Sequence, residues 1–94
     1  MKIVTVCGMG FGTSLMLLLE IQSIAKGHGF EVNGEAVDLG SAKGMSCDLM
    51  VASSEISSEL VDEPVEVISI NNLLDRNEIE QKVMPAIQKL SKKG

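Results

Sequence analysis

The stretch Lys2-Ile3-Val4-Thr5-Val6-Cys7-Gly8-Met9-Gly10-Phe11-Gly12-Thr13-Ser14 places a short β-branched run, a cysteine and three alternating glycines in immediate succession. Residues 2–6 predict a buried strand, because a short apolar run bounded by glycine is typical of one. A helical pattern of apolar residues follows from residue 13. The order of strand, glycine loop and helix favours an α/β fold with a ligand at the loop.

The chemistry of the loop follows from its backbone. Alternating glycines let successive amide N–H groups point into one concavity that binds anions. The helix that follows adds its positive end, which lowers the pKa of a thiol below its free value of about 8.5. The pattern therefore predicts Cys7 as a catalytic nucleophile that carries phosphate, in a phosphatase-like P-loop. The predicted phosphate-binding residues are Gly8, Met9, Gly10, Phe11, Gly12, Thr13 and Ser14.

Other readings of the loop remain open. The pattern G-x-G-x-G lacks the third-glycine spacing of dinucleotide sites, and no Lys follows Gly12 as the Walker pattern requires. In a purely structural reading, Cys7 is a small buried residue and the glycines only form a tight turn. Low-molecular-weight tyrosine phosphatases use a similar loop with Arg where this chain has Thr13. A phosphatase or arsenate-reductase-like enzyme is thus an alternative, although the missing guanidinium argues against it. A regulatory binding module is a third hypothesis.

Composition narrows the function. The 94 residues, of which 45% are hydrophobic, predict one domain over residues 1–94. A formal charge of −5, only 2 Phe and no Trp or Tyr argue against nucleic-acid binding. The first residues are too short and strand-like for a signal peptide, and no run reaches the roughly 18 apolar residues of a membrane span. We therefore expect a cytoplasmic protein without direct membrane insertion.

The two cysteines predict neither a disulfide nor a metal site. Cys7 ends the first strand, whereas Cys47 begins the third, which separates them by roughly 15 Å at about 3.3 Å per residue. The single His28 lies between them in the sequence, without metal-ligand spacing. We expect Cys47 to be a buried structural thiol, His28 to be solvated and far from Cys7, and no metal or cofactor to be needed.

The rest of the chain alternates between strand and helix patterns. Further strands are predicted over residues 30–37, as a half-exposed edge strand, and over 49–52 and 65–70. Helices are predicted over residues 13–26 and 56–60, with one helical turn between 38 and 46, and a last helix from 73 or 75 that continues through Pro85 with a kink. Serines 53 and 54 are expected to cap the helix over 56–60.

This alternation predicts a three-layer α/β fold. A four-stranded parallel sheet of order 2-1-3-4 would be flanked by helices on both faces. Ligands bind such sheets at the carboxyl ends of strands, where the winding direction switches, here between strands 1 and 3. Residues expected at that edge are Cys7, Ser53, Ser54, Glu55, Asn71 and Asn72.

The first helix predicts two different faces. Apolar residues at helical spacing form a core stripe of Leu17, Leu18, Ile21, Ile24 and Ala25. Leu15, Met16 and Leu19 lie off this stripe. With Met9 and Phe11 they are expected to rim the thiol and to suit docking to partners.

Three stretches resemble the IIB component of a bacterial phosphoenolpyruvate-dependent sugar phosphotransferase system (PTS). They are I-V-T-V-C-G-M-G-F-G-T-S at residues 3–14, residues 32–37, and D-L-M-V-A-S-S-E-I at residues 48–56. The resemblance covers essentially the whole chain and is to the ascorbate and galactitol types, with the ascorbate type preferred.

The resemblance implies a function. In this family the cysteine after the first strand accepts phosphate from a histidine of the IIA component. It passes the phosphate to the sugar that the membrane IIC component imports. Cys7 would take that role, residues 8–14 would form the phosphate-binding loop, and IIA and IIC would be the partners.

Overall fold

The computed structural model describes residues 1–7 and 11–93, and the side chains of these except residues 7, 11–13, 92 and 93. The strands are β1 (Lys2–Cys7), β2 (Asn33–Asp38), β3 (Leu49–Ser53) and β4 (Glu66–Ile70). The helices are α1 (Phe11–Gly27), α2 (Leu39–Ala42), α3 (Ser54–Ser57) and α4 (Arg76–Lys93), and a 3-10 turn, Ser58–Leu60, follows α3. The strands pair in parallel in the order β2-β1-β3-β4, which confirms the predicted sheet.

Two hydrophobic cores lie on opposite faces of the sheet. Strand residues such as Ile3 and Leu49 pack with α1 and α4, whereas Val4 and Met50 pack with residues of α2 and the 3-10 turn. Successive strand side chains point to opposite faces, so one central strand supplies both cores. This explains why β1 and β3 read as nearly continuous apolar runs. The predicted three-layer arrangement is confirmed.

The helix α1 buries the predicted core stripe, but it begins at Phe11 rather than at residue 13. Glycine disfavours helix interiors by about 1 kcal/mol relative to Ala, which is why the pattern suggested a loop through Gly12. The first turn is joined to β1 by the hydrogen bond that the Thr5 hydroxyl donates to the carbonyl oxygen of Ser14. At the other end, Gly29 has φ +87°, and Phe30 N–H donates to the carbonyl of Ala25 at 2.9 Å. These features terminate α1 as predicted from its glycines.

Strand β2 is an edge strand, as predicted, but it begins at Asn33 rather than at residue 30. The N–H of Phe30 is committed to the end of α1, so the chain joins the sheet only after that turn. It lies close to α1 at Gly34, where a Cβ atom would lie 2.6 Å from Leu18 Cδ1 and closer still to the carbonyl oxygen of Ile3.

The helix after β3 differs from the prediction. It begins at Ser54 rather than at residue 56, and it continues as the 3-10 turn to Leu60. Ser53 is the N-cap residue, but its side chain makes no capping hydrogen bond. The prediction that a serine occupies the cap position is therefore confirmed, whereas the expected capping hydrogen bond from its side chain is absent.

The last helix, α4, continues through Pro85, as its apolar period predicted, but it begins at Arg76 rather than at residue 73 or 75. Asp75 caps it, since its Oδ1 accepts the N–H groups of Asn77 and Glu78 at 3.0 and 3.2 Å. None of the helices in residues 1–7 and 11–93 is long and apolar enough to cross a membrane.

Candidate functional site

The carboxyl edge of the sheet brings Cys7 between the ends of two neighbouring strands. Cys7 pairs in register with Asp38, the last residue of β2. On the other side Val6 pairs with Ala52, so that Ser53 is the next residue along β3. The chain leaves β1 toward β2 and then crosses back to β3, which makes this edge the switch point of the fold. The structure thus brings the ends of β1 and β3 together, as the sequence predicted, and it places the end of β2 beside them, which the sequence did not predict.

Most of the predicted loop falls outside the described residues. The described residues do not include Gly8, Met9 and Gly10, or the side chains of Cys7, Phe11 and Thr13. The backbone of residues 11–13, which include Gly12, forms the start of α1. The assignment of phosphate binding to residues 8–13 therefore stays a prediction.

Ser14 connects the start of α1 to the first strand. It is only 1% exposed, and its carbonyl oxygen accepts a hydrogen bond of 2.7 Å from the hydroxyl of Thr5, which is itself fully buried. This bond spans the loop, because the two residues are nine apart in sequence. It fixes the beginning of α1 relative to the end of β1. Sequence reasoning missed Thr5, although a hydroxyl in a buried strand is a signal that it needs a partner.

Asp38 places a negative charge beside Cys7 in the sheet. The side chain and the backbone N–H of Ser41 lower the pKa of Asp38 below its ordinary value of 3.8, and the N–H of Ser41 lies 2.7 Å from Oδ1. The carboxylate is therefore ionised at neutral pH and already committed to capping α2. The sequence analysis did not name Asp38. Only the pairing register shows that it faces the end of β1.

The loop between β4 and α4 is held by a carboxylate. Glu78 accepts the backbone N–H groups of Asn71 and Asn72 at 2.6 and 2.9 Å, and Lys82 donates to it at 2.7 Å. Lys82 also donates to the carbonyl oxygen of Ser69 at 3.0 Å. The hydrogen bond from Lys82, followed by those from the two backbone groups, lowers the pKa of Glu78 to about 2. The expected placement of Asn71 and Asn72 at this edge is confirmed, and Glu78 is what holds them there.

Apolar side chains are exposed on the part of α1 nearest this edge. Leu15, Met16 and Leu19 are 48%, 59% and 56% exposed, which confirms that they lie off the core stripe. Leu74, in the loop before α4, is 79% exposed. Their use as a docking surface stays a prediction.

Comparison with known proteins shows which family this chain belongs to. The family model described as "PTS system, Lactose/Cellobiose specific IIB subunit" matches residues 2–84. The chain belongs to this IIB family. IIB components are phosphotransferase domains, so the protein is a phosphotransferase component. Among curated relatives, this chain is 33% identical over 84 residues to the ascorbate-specific PTS system EIIB component of Mycoplasma pneumoniae (strain ATCC 29342 / M129 / Subtype 1). The match covers 86% of this chain and 88% of that protein.

The second cysteine of the IIB component lies away from the carboxyl edge. Cys47 precedes β3 and is half-buried, whereas a fully buried thiol was expected. Partial burial raises the pKa of Cys47. His28, at the far end of α1, lies 2.8 Å from Glu80 of α4 and is part-exposed. Within the described residues, no three His, Cys, Asp or Glu side chains are grouped as metal ligands would be.

Proposed function

We propose that this IIB component carries a phosphoryl group on Cys7 between a IIA phosphohistidine and the sugar that a IIC component imports. The placement of Cys7 carries the proposal. It ends a central strand at the switch point, and three glycines lie within the next five residues, the last of them inside the 17-residue helix α1. Thr5 and Ser14 hold that strand and helix together across the loop.

The proposed chemistry is two displacements at phosphorus. The Cys7 thiolate attacks the phosphohistidine, so that an S–P bond forms as the N–P bond breaks, and the imidazole nitrogen takes the electron pair and a proton. A sugar hydroxyl then attacks the phosphoryl group and releases its proton to solvent. The S–P bond breaks and the thiolate is restored. Amides of residues 8–14 would hold the phosphoryl oxygens, so the contribution of the protein is mainly positioning and charge stabilisation.

The electrostatic balance at the edge favours a thiolate. A helix terminus stabilises an adjacent anion by about 0.3–1 kcal/mol, and by up to about 2 kcal/mol in partly buried geometry. The ionised Asp38 opposes it, but its carboxylate is exposed to water and ions, which screen the interaction. The amides of the loop add to the helix contribution. We therefore expect the pKa of Cys7 to lie below that of a free thiol.

We further propose ascorbate as the sugar, cytoplasmic IIA and membrane IIC components as the partners, and residues 1–94 as one phosphocarrier domain acting in the cytoplasm. The ascorbate assignment is supported by the relative whose name specifies ascorbate, whereas the family description specifies lactose and cellobiose. Phosphoryl transfer from the loaded IIB component to ascorbate or to cellobiose, in vesicles with the matching IIC protein, separates the two.

The proposal is tested by intact-mass measurement after incubation with phosphoenolpyruvate, the general PTS proteins and a candidate IIA protein. The native chain and Cys47→Ser are expected to gain the mass of one phosphoryl group, and Cys7→Ser is expected to gain none. Cys47→Ser is the matched control because Cys47 lies outside the carboxyl edge. Phosphate uptake by Cys7→Ser would contradict the proposal. The proposal would also be contradicted if the native chain hydrolysed an aryl phosphate and no IIA donor phosphorylated it.

A further inference from the structure

The side-chain alternation along β1 and β3 brings positions 7 and 53 into the same phase. On β1, Ile3 belongs to the core beneath α1 and α4, and the Thr5 hydroxyl bonds to Ser14 of α1. Position 7 continues that series. On β3, Leu49 and Val51 belong to the same core, and position 53 continues theirs.

Ser53 is also the nearest position on the neighbouring strand. Since Val6 pairs with Ala52, positions 7 and 53 are next in register on adjacent strands, about 4.8 Å apart in the direction of the sheet hydrogen bonds. Asn71 follows β4, which lies one strand farther from β1, at roughly twice that separation. Of these two polar groups, only Ser53 is within direct reach of a group on Cys7.

The hydroxyl of Ser53 is not used for capping. Its backbone has the extended conformation of an N-cap, with φ −67° and ψ 153°, yet the side chain makes no capping hydrogen bond to α3. An N-cap serine ordinarily accepts a backbone N–H of the first turn. Because no capping bond holds the side chain over α3, the hydroxyl of the half-buried Ser53 can turn its O–H donor toward the carboxyl edge. Asp38, on the opposite side of Cys7, is an ionised acceptor already bonded to Ser41 and cannot donate.

We infer that Ser53 is a further catalytic residue of the phosphoryl-transfer site. Its hydroxyl donates a hydrogen bond to the Cys7 thiolate in the free protein and to a phosphoryl oxygen in the loaded protein. The inference rests on the proposed function of Cys7 as phosphate carrier. In both states the bond places a positive dipole end on the negative group, opposite the carboxylate of Asp38.

The test reads the thiolate and the transfer separately. In a Cys47→Ser background Cys7 is the remaining thiol, and its rate of alkylation by iodoacetamide is measured against pH. Ser53→Ala is expected to raise the apparent pKa of Cys7 by about one pH unit, the effect of one lost hydrogen bond to a charged group. Phosphoryl transfer from phosphorylated IIA is expected to slow by at least about tenfold, as the loss of one hydrogen bond to a charged group predicts. Ser53→Thr keeps the hydroxyl and is expected to restore both values.

Charged neighbours set the background of this pH profile. Asp38 faces the edge from β2, and Glu55 from the exposed start of α3, while Glu78 and Lys82 lie behind the Asn71 loop. Ser58→Ala, an exposed serine farther along the same segment, is the matched control and is expected to leave the profile unchanged. Circular dichroism in urea checks that each variant is folded.

The outcomes separate this inference from the proposed function. An unchanged alkylation profile and unchanged transfer rate in a folded Ser53→Ala variant would overturn the role of Ser53, while phosphorylation of the native chain would still support Cys7 as carrier. The opposite pair of results is a raised pKa of Cys7 in Ser53→Ala together with a native chain that no donor phosphorylates. That pair would support the hydrogen bond to sulfur and contradict the carrier function.

Discussion

Single polar residues hold the carboxyl edge in place. The hydroxyl of Thr5 is buried in the middle of β1 and costs free energy unless it is bonded, and it donates to the carbonyl oxygen of Ser14. That bond determines where α1 begins relative to Cys7. A side chain two residues away from the proposed nucleophile thus positions the helix whose dipole acts on it.

Glu78 is the residue whose ionisation couples this edge to pH. Its pKa in the folded chain is about 2, below the ordinary value of 4.5. The stabilisation from its carboxylate is therefore complete above pH 4.5 and is lost as the pH falls toward 2. We expect Glu78→Gln to be less stable than the native chain at neutral pH, and the difference to shrink across that window. Urea unfolding at a series of pH values measures it.

Lys82 provides the control for this pH dependence. It is the largest cause of the lowered pKa of Glu78, so Lys82→Met is expected to move the loss of stability to higher pH. An equal stability difference between the native chain and Glu78→Gln at every pH would contradict the assignment.

At the scale of elements, β2 packs tightly against α1 and β1 at Gly34. A Cβ at Gly34 would lie 2.6 Å from Leu18 Cδ1 and against the backbone of Ile3, so the strand would have to move away from β1 or α1. We expect Gly34→Ala to lower the free energy of unfolding by about 1–3 kcal/mol, as overpacking does. Denaturant unfolding followed by circular dichroism checks this.

The same substitution at the end of α1 is the matched control. Gly27 lies within α1, and a Cβ there would have no heavy atom within 4 Å. Gly27→Ala is therefore expected to be neutral or slightly stabilising, because alanine is the better helix former. A Gly34→Ala variant as stable as Gly27→Ala would show that β2 can shift without cost.

At the scale of the whole molecule, one sheet supports both cores. Leu49 and Met50 are adjacent and fully buried in β3, yet they belong to cores on opposite faces. Because the two cores share this central strand, we expect Leu49→Ala and Met50→Ala each to lower the free energy of unfolding by about 2–5 kcal/mol in a single transition. The chain has no Trp or Tyr, so the transition is followed by far-ultraviolet circular dichroism.

Leu74 serves as the control for the two core variants. It is 79% exposed, and Leu74→Ala is expected to change stability by less than about 0.5 kcal/mol. A separate, earlier transition in Met50→Ala would contradict the expectation of one cooperative unit.

Local sequence patterns were sufficient for the architecture. The alternation of short apolar runs with helical periods predicted the order β2-β1-β3-β4, and the apolar spacing in α1 predicted its buried stripe. Because carboxyl ends of parallel strands meet at one edge, the same patterns placed Cys7 near Ser53 and Asn71. The elements and their buried faces depend on residues close in sequence, which a periodic pattern records directly, and the right-handed crossover rule then limits the strand order.

The sequence by itself therefore determined the sheet, the core of α1 and the edge that holds Cys7. Only the tertiary structure decided that Asp38 pairs with Cys7, that Thr5 bonds to Ser14, and that Glu78 holds the Asn71 loop. It also moved the start of β2 to Asn33, because the N–H of Phe30 closes α1 instead of joining the sheet. Each of these depends on register and on contacts between separate elements, and periodicity within one element carries no information about either.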